Sequence, residues 1–226
     1  MASAITTFAM PILRYGFGIL RWTQAEIRGI DRKTRKIMTK YGFHHPKSNT
    51  NRLYIPREFG GRGVISAMDC YRQECNGIAY YLSNNNHDPF VDIVKKSEAK
   101  KIRGLMSFAK NENMKVFKQR TNKEKITNFM EMPLHGQWFK QQQEITTVNQ
   151  SASIGWLSNS NLRFENESLI CAAQEQALAT KHVQAKIWKT STSGKCRLCK
   201  EQDETISHII SGCEMLVVTT CLYRHN

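Results

Sequence analysis

A chain of 226 residues can bury a core as one large domain or as two small ones. Its 40% hydrophobic and 23% charged residues are ordinary for a soluble protein, and no apolar run is long enough to span a bilayer, which argues against a transmembrane protein. A net charge of +14 predicts a polyanionic partner, of which nucleic acid is the commonest, whereas no stretch stands out as the bulky amphipathic helix that a membrane surface would require.

The N-terminal segment is apolar and precedes the clearest helix signal in the chain. Residues 1–20 are mostly small and apolar, as we expect of a chain that begins inside a domain. Thr23 and Glu26 match the pattern of a capping box, and Gly42 is a suitable stop, so a helix is predicted over residues 23–41. The apolar residues at helical spacing, which should form its inner face, are Ile27, Ile30, Ile37 and Tyr41.

The opposite face of this helix is positively charged, with Arg28, Arg32, Arg35 and Lys36. Such a stripe is usually a solvated helix face. Because the whole chain is strongly basic, we also interpret these four residues as candidate contacts to the phosphates of nucleic acid.

A glycine-rich turn occupies residues 60–63. A phosphate-cradling loop would continue with a lysine and a hydroxyl residue, but Val64 and Ile65 stand there, so the turn is predicted to be structural. Arg62 within the turn is a further candidate for contact with a backbone phosphate.

Two more helical regions are separated by a polar loop. Ser66 is predicted to cap a helix that runs to about residue 82, and the loop at residues 83–89 is the first predicted domain boundary. Residues 91–130 are densely basic but keep apolar positions, which indicates a positively charged helical layer rather than a disordered arm.

The next part of the chain is also predicted to be helical. His135 follows a proline turn and is interpreted as a structural hydrogen-bonding residue, because the sequence places no catalytic partner beside it. Small residues at helical spacing predict one long helix over residues 165–188, followed by a polar linker at residues 190–194.

The C-terminal segment contains the pattern Cys-x2-Cys-x8-His-x4-Cys at Cys196, Cys199, His208 and Cys213. Three thiolates and one imidazole are a closed ligand set for tetrahedral Zn²⁺. Two cysteines on one tight turn can bind the ion together, and a short helix must return the second pair to it. The sequence therefore predicts one structural zinc ion.

The residues around this motif support the prediction. Lys195 and Arg197 favour the thiolate form of the cysteines and are candidate nucleic-acid contacts. Asp203 is predicted to cap the short helix. Cys221 and His225 are the alternative ligands if Cys213 does not bind.

The cysteines outside the motif show no spacing typical of a disulfide framework. This pattern favours a reducing compartment, so we expect an intracellular protein of the cytoplasm or the nucleus.

Several short motifs occur in order along the chain. They are residues 31–36, residues 52–57 with 60–63, residues 135–137, residues 156–157, residues 172–178, and the cysteine–histidine motif with residues 223–226. In this order they resemble the region that follows the polymerase palm in reverse transcriptases of non-long-terminal-repeat retrotransposons. The resemblance is closest to the branch with a C-terminal restriction-enzyme-like endonuclease, and it covers nearly the whole chain.

This resemblance implies a mainly α protein in three parts. They are a thumb-like helical segment at residues 1–88, a basic helical linker domain at 89–192, and a CCHC zinc knuckle with the truncated start of the following region at 193–226. In the parent family these parts hold template RNA and target DNA, and the polymerase and endonuclease domains lie on the same chain. The family's metal ligands carry over directly onto Cys196, Cys199, His208 and Cys213.

The polymerase of such an element needs a pair of aspartates for its two metal ions, and no Asp-Asp occurs in this sequence. We therefore expect a non-catalytic fragment that contacts RNA and DNA through its basic helices and its zinc knuckle. The alternatives are a zinc-containing protein-interaction module and a decayed retroelement remnant without a selected function.

Overall fold

The computed structural model describes residues 4–18, 20, 22–96, 112–159 and 161–216. Within these ranges the chain is helical, and no strand forms apart from an isolated bridge between Lys195 and Asp203. The predicted mainly α fold is confirmed. The helices are α1 (Met10–Phe17), α2 (Gln24–Lys40), α3 (Thr50–Tyr54), α4 (Ala67–Asn84), α5 (Pro89–Lys96), α6 (Met114–Met130), α7 (Gln137–Glu144), α8 (Gln150–Asn159), α9 (Phe164–Gln174), α10 (Lys181–Lys186) and α11 (Glu214–Leu216).

Shorter helical turns complete the described part. Ile5–Ala9 and His208–Gly212 are π-helical, and Arg57–Phe59 is a 3-10 turn. Of the helices in the described ranges, none has the length and the apolar character that a membrane crossing needs.

Helix α2 begins and ends where the local sequence predicts. The Thr23 hydroxyl accepts the Glu26 N–H at 3.2 Å, and the Glu26 carboxylate accepts the Thr23 N–H at 2.8 Å, which completes the capping box. Gly42 follows the helix with a left-handed φ of +73°.

The buried face of α2 differs from the prediction. Ile37 and Tyr41 are 53% and 56% exposed, and Asp31 is buried instead. The Asp31 carboxylate accepts the backbone N–H groups of Ala67 at 2.7 Å and of Met68 at 3.3 Å, at the start of α4. The first N–H groups of a helix have no acceptor within that helix. Because Asp31 must be buried to accept them, this contact determines which face of α2 packs inward.

Helix α4 starts as predicted, since the Ser66 hydroxyl accepts the Asp69 N–H at 3.0 Å. Helices α1, α2 and α4 share the first hydrophobic cluster. Its buried members are Met10, Phe17, Ile27, Ala67 and Cys70.

Helix α3 and the segment that joins it to α4 carry arginines that point into the interior. The Arg52 guanidinium donates to the carbonyls of Gly60 at 2.9 Å and of Cys171 at 3.0 Å. Arg57 donates to both oxygens of the Glu167 carboxylate, at 3.3 and 3.2 Å. These bonds attach the segment to α9, which is more than a hundred residues away along the chain.

The structure contradicts Arg62 as a contact to a phosphate. Its side chain is 2% exposed, and its Nη2 atom lies 3.1 Å from the Glu167 carboxylate. Its guanidinium carbon lies 4.2 Å from the centre of the Phe43 ring. Gly60 and Gly63, with φ values of +83° and +67°, fold the tight turn that carries Arg62 into the interior.

The single long helix predicted over residues 165–188 is also wrong, because the chain divides there into α9 and α10. Gln176 takes a left-handed φ of +56°, and the buried Glu175 carboxylate accepts the Asn49 N–H at 2.6 Å. The Thr180 hydroxyl then accepts the Val183 N–H at 3.3 Å and starts α10. Tertiary contacts at Glu175 thus override the helical periodicity.

His135 has the structural role that was predicted for it. Its Nδ1 atom lies 3.1 Å from the backbone oxygen of Glu175, which joins the turn before α7 to the break after α9.

Candidate metal centre

The four predicted zinc ligands lie together near the end of the described chain, with their ligand atoms all within 4.8 Å of one another. Cys196 Sγ is 3.9 Å from Cys213 Sγ, and Cys199 Sγ is 3.3 Å from His208 Nε2. Zinc bonds of about 2.3 Å to sulfur and about 2.0 Å to nitrogen place tetrahedral ligand atoms about 3.5–3.8 Å apart. The residues present therefore fit one tetrahedral Zn²⁺, and the prediction of a single zinc site is confirmed.

The turn with the first two cysteines is held by its backbone. The Cys196 N–H donates to the Gln202 carbonyl at 2.8 Å, and the Lys200 N–H donates to the Cys196 carbonyl at 2.9 Å. Backbone N–H groups of Gln202 and Glu201 lower the pKa of the Cys199 thiol to about 7. A thiol with such a pKa is readily ionised to the form that binds a metal.

The second pair of ligands lies at the two ends of a short helical turn. His208 is its first residue, and Cys213 follows its last, Gly212. The Thr205 hydroxyl accepts the His208 N–H at 3.1 Å, so Thr205 takes the capping role that was predicted for Asp203. The His208 Nδ1 atom lies 3.2 Å from the side-chain oxygen of Gln202, which orients the ring so that Nε2 faces the cysteines.

The thiols of the site do not share one environment. Cys196 and Cys213 are buried, whereas Cys199 is half-buried at the edge. Burial raises the pKa of the Cys213 thiol, so the metal must displace a proton there. Zinc affinity is therefore expected to fall as the pH falls.

Glu204 attaches the zinc segment (residues 195–216) to α10, a role that the sequence does not predict. Its buried carboxylate accepts the Lys181 N–H at 2.8 Å and both the N–H and the guanidinium of Arg197 at 2.9 Å. The sequence gives no signal that separates Glu204 from its neighbours Glu201 and Asp203, and its partner Lys181 lies 23 residues away.

Lys195 and Arg197 remain at the surface, but both are held by the zinc segment. Lys195 Nζ donates to the Glu201 carbonyl at 2.9 Å, and Arg197 pairs with Glu204. Their contact with nucleic acid stays a prediction.

The basic face predicted on α2 is only partly exposed. Arg28, Arg32 and Lys36 are exposed at four-residue spacing, so they form one line along the helix. Arg35 is half-buried and donates to the Tyr54 hydroxyl at 3.0 Å. Direct phosphate contact is therefore predicted for the three exposed residues. The alternative zinc ligands Cys221 and His225 lie outside the described residues.

Comparison with known families agrees with the zinc site. A family model described as zinc-binding in reverse transcriptase matches residues 134–219, a stretch that contains all four ligands. This part of the chain is similar to the zinc-binding domain found with reverse transcriptases, and the similarity begins well before the knuckle, just before α7. No curated protein and no solved structure matches the chain.

Proposed function

We propose that the chain is a non-catalytic, nucleic-acid-binding part of a non-long-terminal-repeat retrotransposon reverse transcriptase, from the branch with a restriction-enzyme-like endonuclease. Its thumb-like and linker helices and its zinc knuckle contact template RNA and target DNA. The observation that carries the proposal is the match to a reverse-transcriptase zinc-binding family at residues 134–219, with a complete set of four zinc ligands inside it.

The charge distribution supports nucleic acid as the partner. The net charge is +14, and Arg28, Arg32 and Lys36 stand one helical turn apart on an exposed face of α2. Like charges at this spacing cost a helix about 0.2–0.5 kcal/mol per pair. A partner that carries phosphates would offset that repulsion.

The test of this function is the salt dependence of binding. The zinc-loaded chain is titrated into labelled RNA and DNA, and affinity is measured by fluorescence anisotropy between about 50 and about 200 mM salt. The expected log–log slope is about −0.9 for each phosphate contacted on duplex DNA and about −0.7 on a single strand. An affinity that does not change with salt would contradict the proposal.

A charge-matched comparison then locates the contact. Replacing Arg28, Arg32 and Lys36 together with glutamine should flatten the duplex slope by up to about 0.9 per lost phosphate contact. The control carries the same change of charge at three other exposed lysines, Lys140, Lys186 and Lys189. Equal losses in both triple variants would show that only net charge matters.

A second candidate function, protein interaction, is favoured by an apolar stripe near the N-terminus. Phe8, Ile12 and Tyr15 are 71%, 76% and 81% exposed and follow one another at helical spacing. If this stripe binds a protein partner, that binding survives nuclease treatment and is lost in Ile12→Ser, while RNA affinity is unchanged.

A further inference from the structure

A polar cleft of about 220 Å³ lies where α1, α4, α6 and the segment between α3 and α4 meet. Helix α6 contributes Lys118, Asn122 and Lys125, which are spaced so that they share one face. A cleft of this volume would hold roughly seven water molecules. It is therefore large enough for a compact anionic group such as a phosphate.

The charges that line the cleft leave a positive excess. Arg14, Lys118 and Lys125 face one carboxylate in the lining, that of Asp69. Lys125 pairs with Asp69 at 2.6 Å, and Arg14 pairs with Glu74 at 2.5 Å. Lys118 carries the remaining charge, so the cleft with its supporting residues has an excess of one positive charge. A phosphodiester carries one negative charge.

Neutral donors complete the cleft. Tyr54 lines it, and its hydroxyl oxygen already accepts a hydrogen bond from Arg35 at 3.0 Å, which leaves the hydroxyl proton available to donate. Burial raises the pKa of Tyr54, so that proton is retained at neutral pH. The side-chain amides of Asn122 and Gln73 offer further N–H groups at the same cleft.

Arg35 thereby acquires a role that differs from the one predicted for it. It acts through Tyr54 and orients the hydroxyl, whereas its exposed neighbours on α2 face solvent. The fixed pairs of Arg14 and Lys125 likewise hold their side chains in place, which lowers the entropy cost of binding an anion.

We propose that this cleft binds one backbone phosphate of a nucleic-acid strand, with Lys118 as the charged contact and Tyr54 and Asn122 as hydrogen-bond donors. The inference rests on the proposed nucleic-acid-binding function and assigns that function a specific phosphate subsite. Because the contact is to a phosphodiester, RNA and DNA strands are held equally.

The test compares two single lysine variants of α6 in the zinc-loaded full-length chain. Lys118→Gln removes the cleft cation, and Lys123→Gln removes an exposed cation on a different side of the same helix. Binding to a short single-stranded RNA and to the DNA of the same sequence is followed by fluorescence anisotropy at several salt concentrations. Circular dichroism confirms that both variants fold.

Lys118→Gln should weaken binding of both strands about fivefold and flatten the salt slope by about 0.7. Lys123→Gln should change affinity less than about twofold, and Lys118→Arg should bind like the wild type. Equal effects of the two glutamine variants, or a loss confined to one of the two strands, would overturn the subsite while leaving the proposed function intact. Failure of the wild type to bind either strand at low salt would overturn the proposed function and the subsite with it.

Discussion

The Arg52 guanidinium and the Glu175 carboxylate form a salt bridge with an Nη1–Oε1 distance of 3.3 Å, and their side chains are only 1% and 0% exposed. The pair joins α3 to the break between α9 and α10. Burial raises the pKa of Glu175, although Arg52 opposes that shift. The Glu175 carboxylate therefore depends on Arg52 to remain charged in the interior.

Removing one member of this pair should destabilise the fold strongly. Arg52→Met leaves the Glu175 carboxylate buried without its cation and should cost about 3–5 kcal/mol of unfolding free energy, measured by urea denaturation. Arg120→Gln, which breaks the solvent-accessible pairs of Arg120 with Glu112 and Glu124, is the control and should cost less than about 1 kcal/mol. Adding Glu175→Gln to Arg52→Met should recover part of the loss. Equal costs for the two arginine variants would refute the structural role of the pair.

The buried arginines also show where sequence reasoning fails. The start of α2 at Thr23 and of α4 at Ser66 could be predicted, because each cap is satisfied within three residues. The zinc ligands could be predicted as well, since metal chemistry restricts residue type and spacing. Arg52 and Arg62 could not, because an arginine is read as exposed unless its acid is known, and Glu175 and Glu167 lie more than a hundred residues away.

A second failure concerns helix faces and helix continuity. Asp31 occupies the buried side of α2 only because the first N–H groups of α4 need an acceptor. The break at Glu175 follows from contacts with Asn49 and Arg52. Both are tertiary effects, and neither leaves a local signal in the periodicity.

His44 should make stability depend on pH. Burial, with Arg62 nearby, lowers the pKa of His44 from 6.5 to about 4. Between these values the unfolded chain binds more protons than the folded one, so stability falls as the pH drops. From pH 7 to pH 5 the loss should be roughly 2 kcal/mol.

The measurement is urea denaturation of the zinc-free protein at both pH values, so that metal release does not contribute. His44→Gln should abolish most of this pH dependence, and His87→Gln, at an exposed site, should keep it. If both variants lose stability with acid as the wild type does, His44 is not the source.

Lys200 is expected to limit zinc affinity. Its φ of +61° is left-handed, which costs a lysine about 1 kcal/mol relative to glycine. Lys200→Gly should therefore raise zinc affinity about fivefold in a chelator competition. Lys186→Gly, in the last turn of α10, is the control and should lower stability by about 0.5–1 kcal/mol. A Lys200→Gly variant that binds zinc less tightly would contradict the strain argument.

Metal removal should unfold the zinc segment and leave helices α1–α9 intact. Structural zinc contributes about 10–16 kcal/mol of apparent binding energy in finger peptides. Hydrogen exchange with a chelator present should therefore accelerate over residues 195–216 and at Lys181, whose N–H donates to Glu204. Exchange in α2 should not change. Accelerated exchange throughout the chain would instead indicate one cooperative unit.

The most direct test of the account is the zinc content of the purified chain, measured by elemental analysis after expression with zinc present. The wild type should carry one zinc ion per chain, and Cys199→Ser should lose it. Cys70→Ser replaces a buried cysteine of α4, in the first hydrophobic cluster, and should retain the metal. A wild type without zinc, or a Cys199→Ser variant that keeps a full equivalent, would contradict the assignment of Cys196, Cys199, His208 and Cys213 as the metal centre.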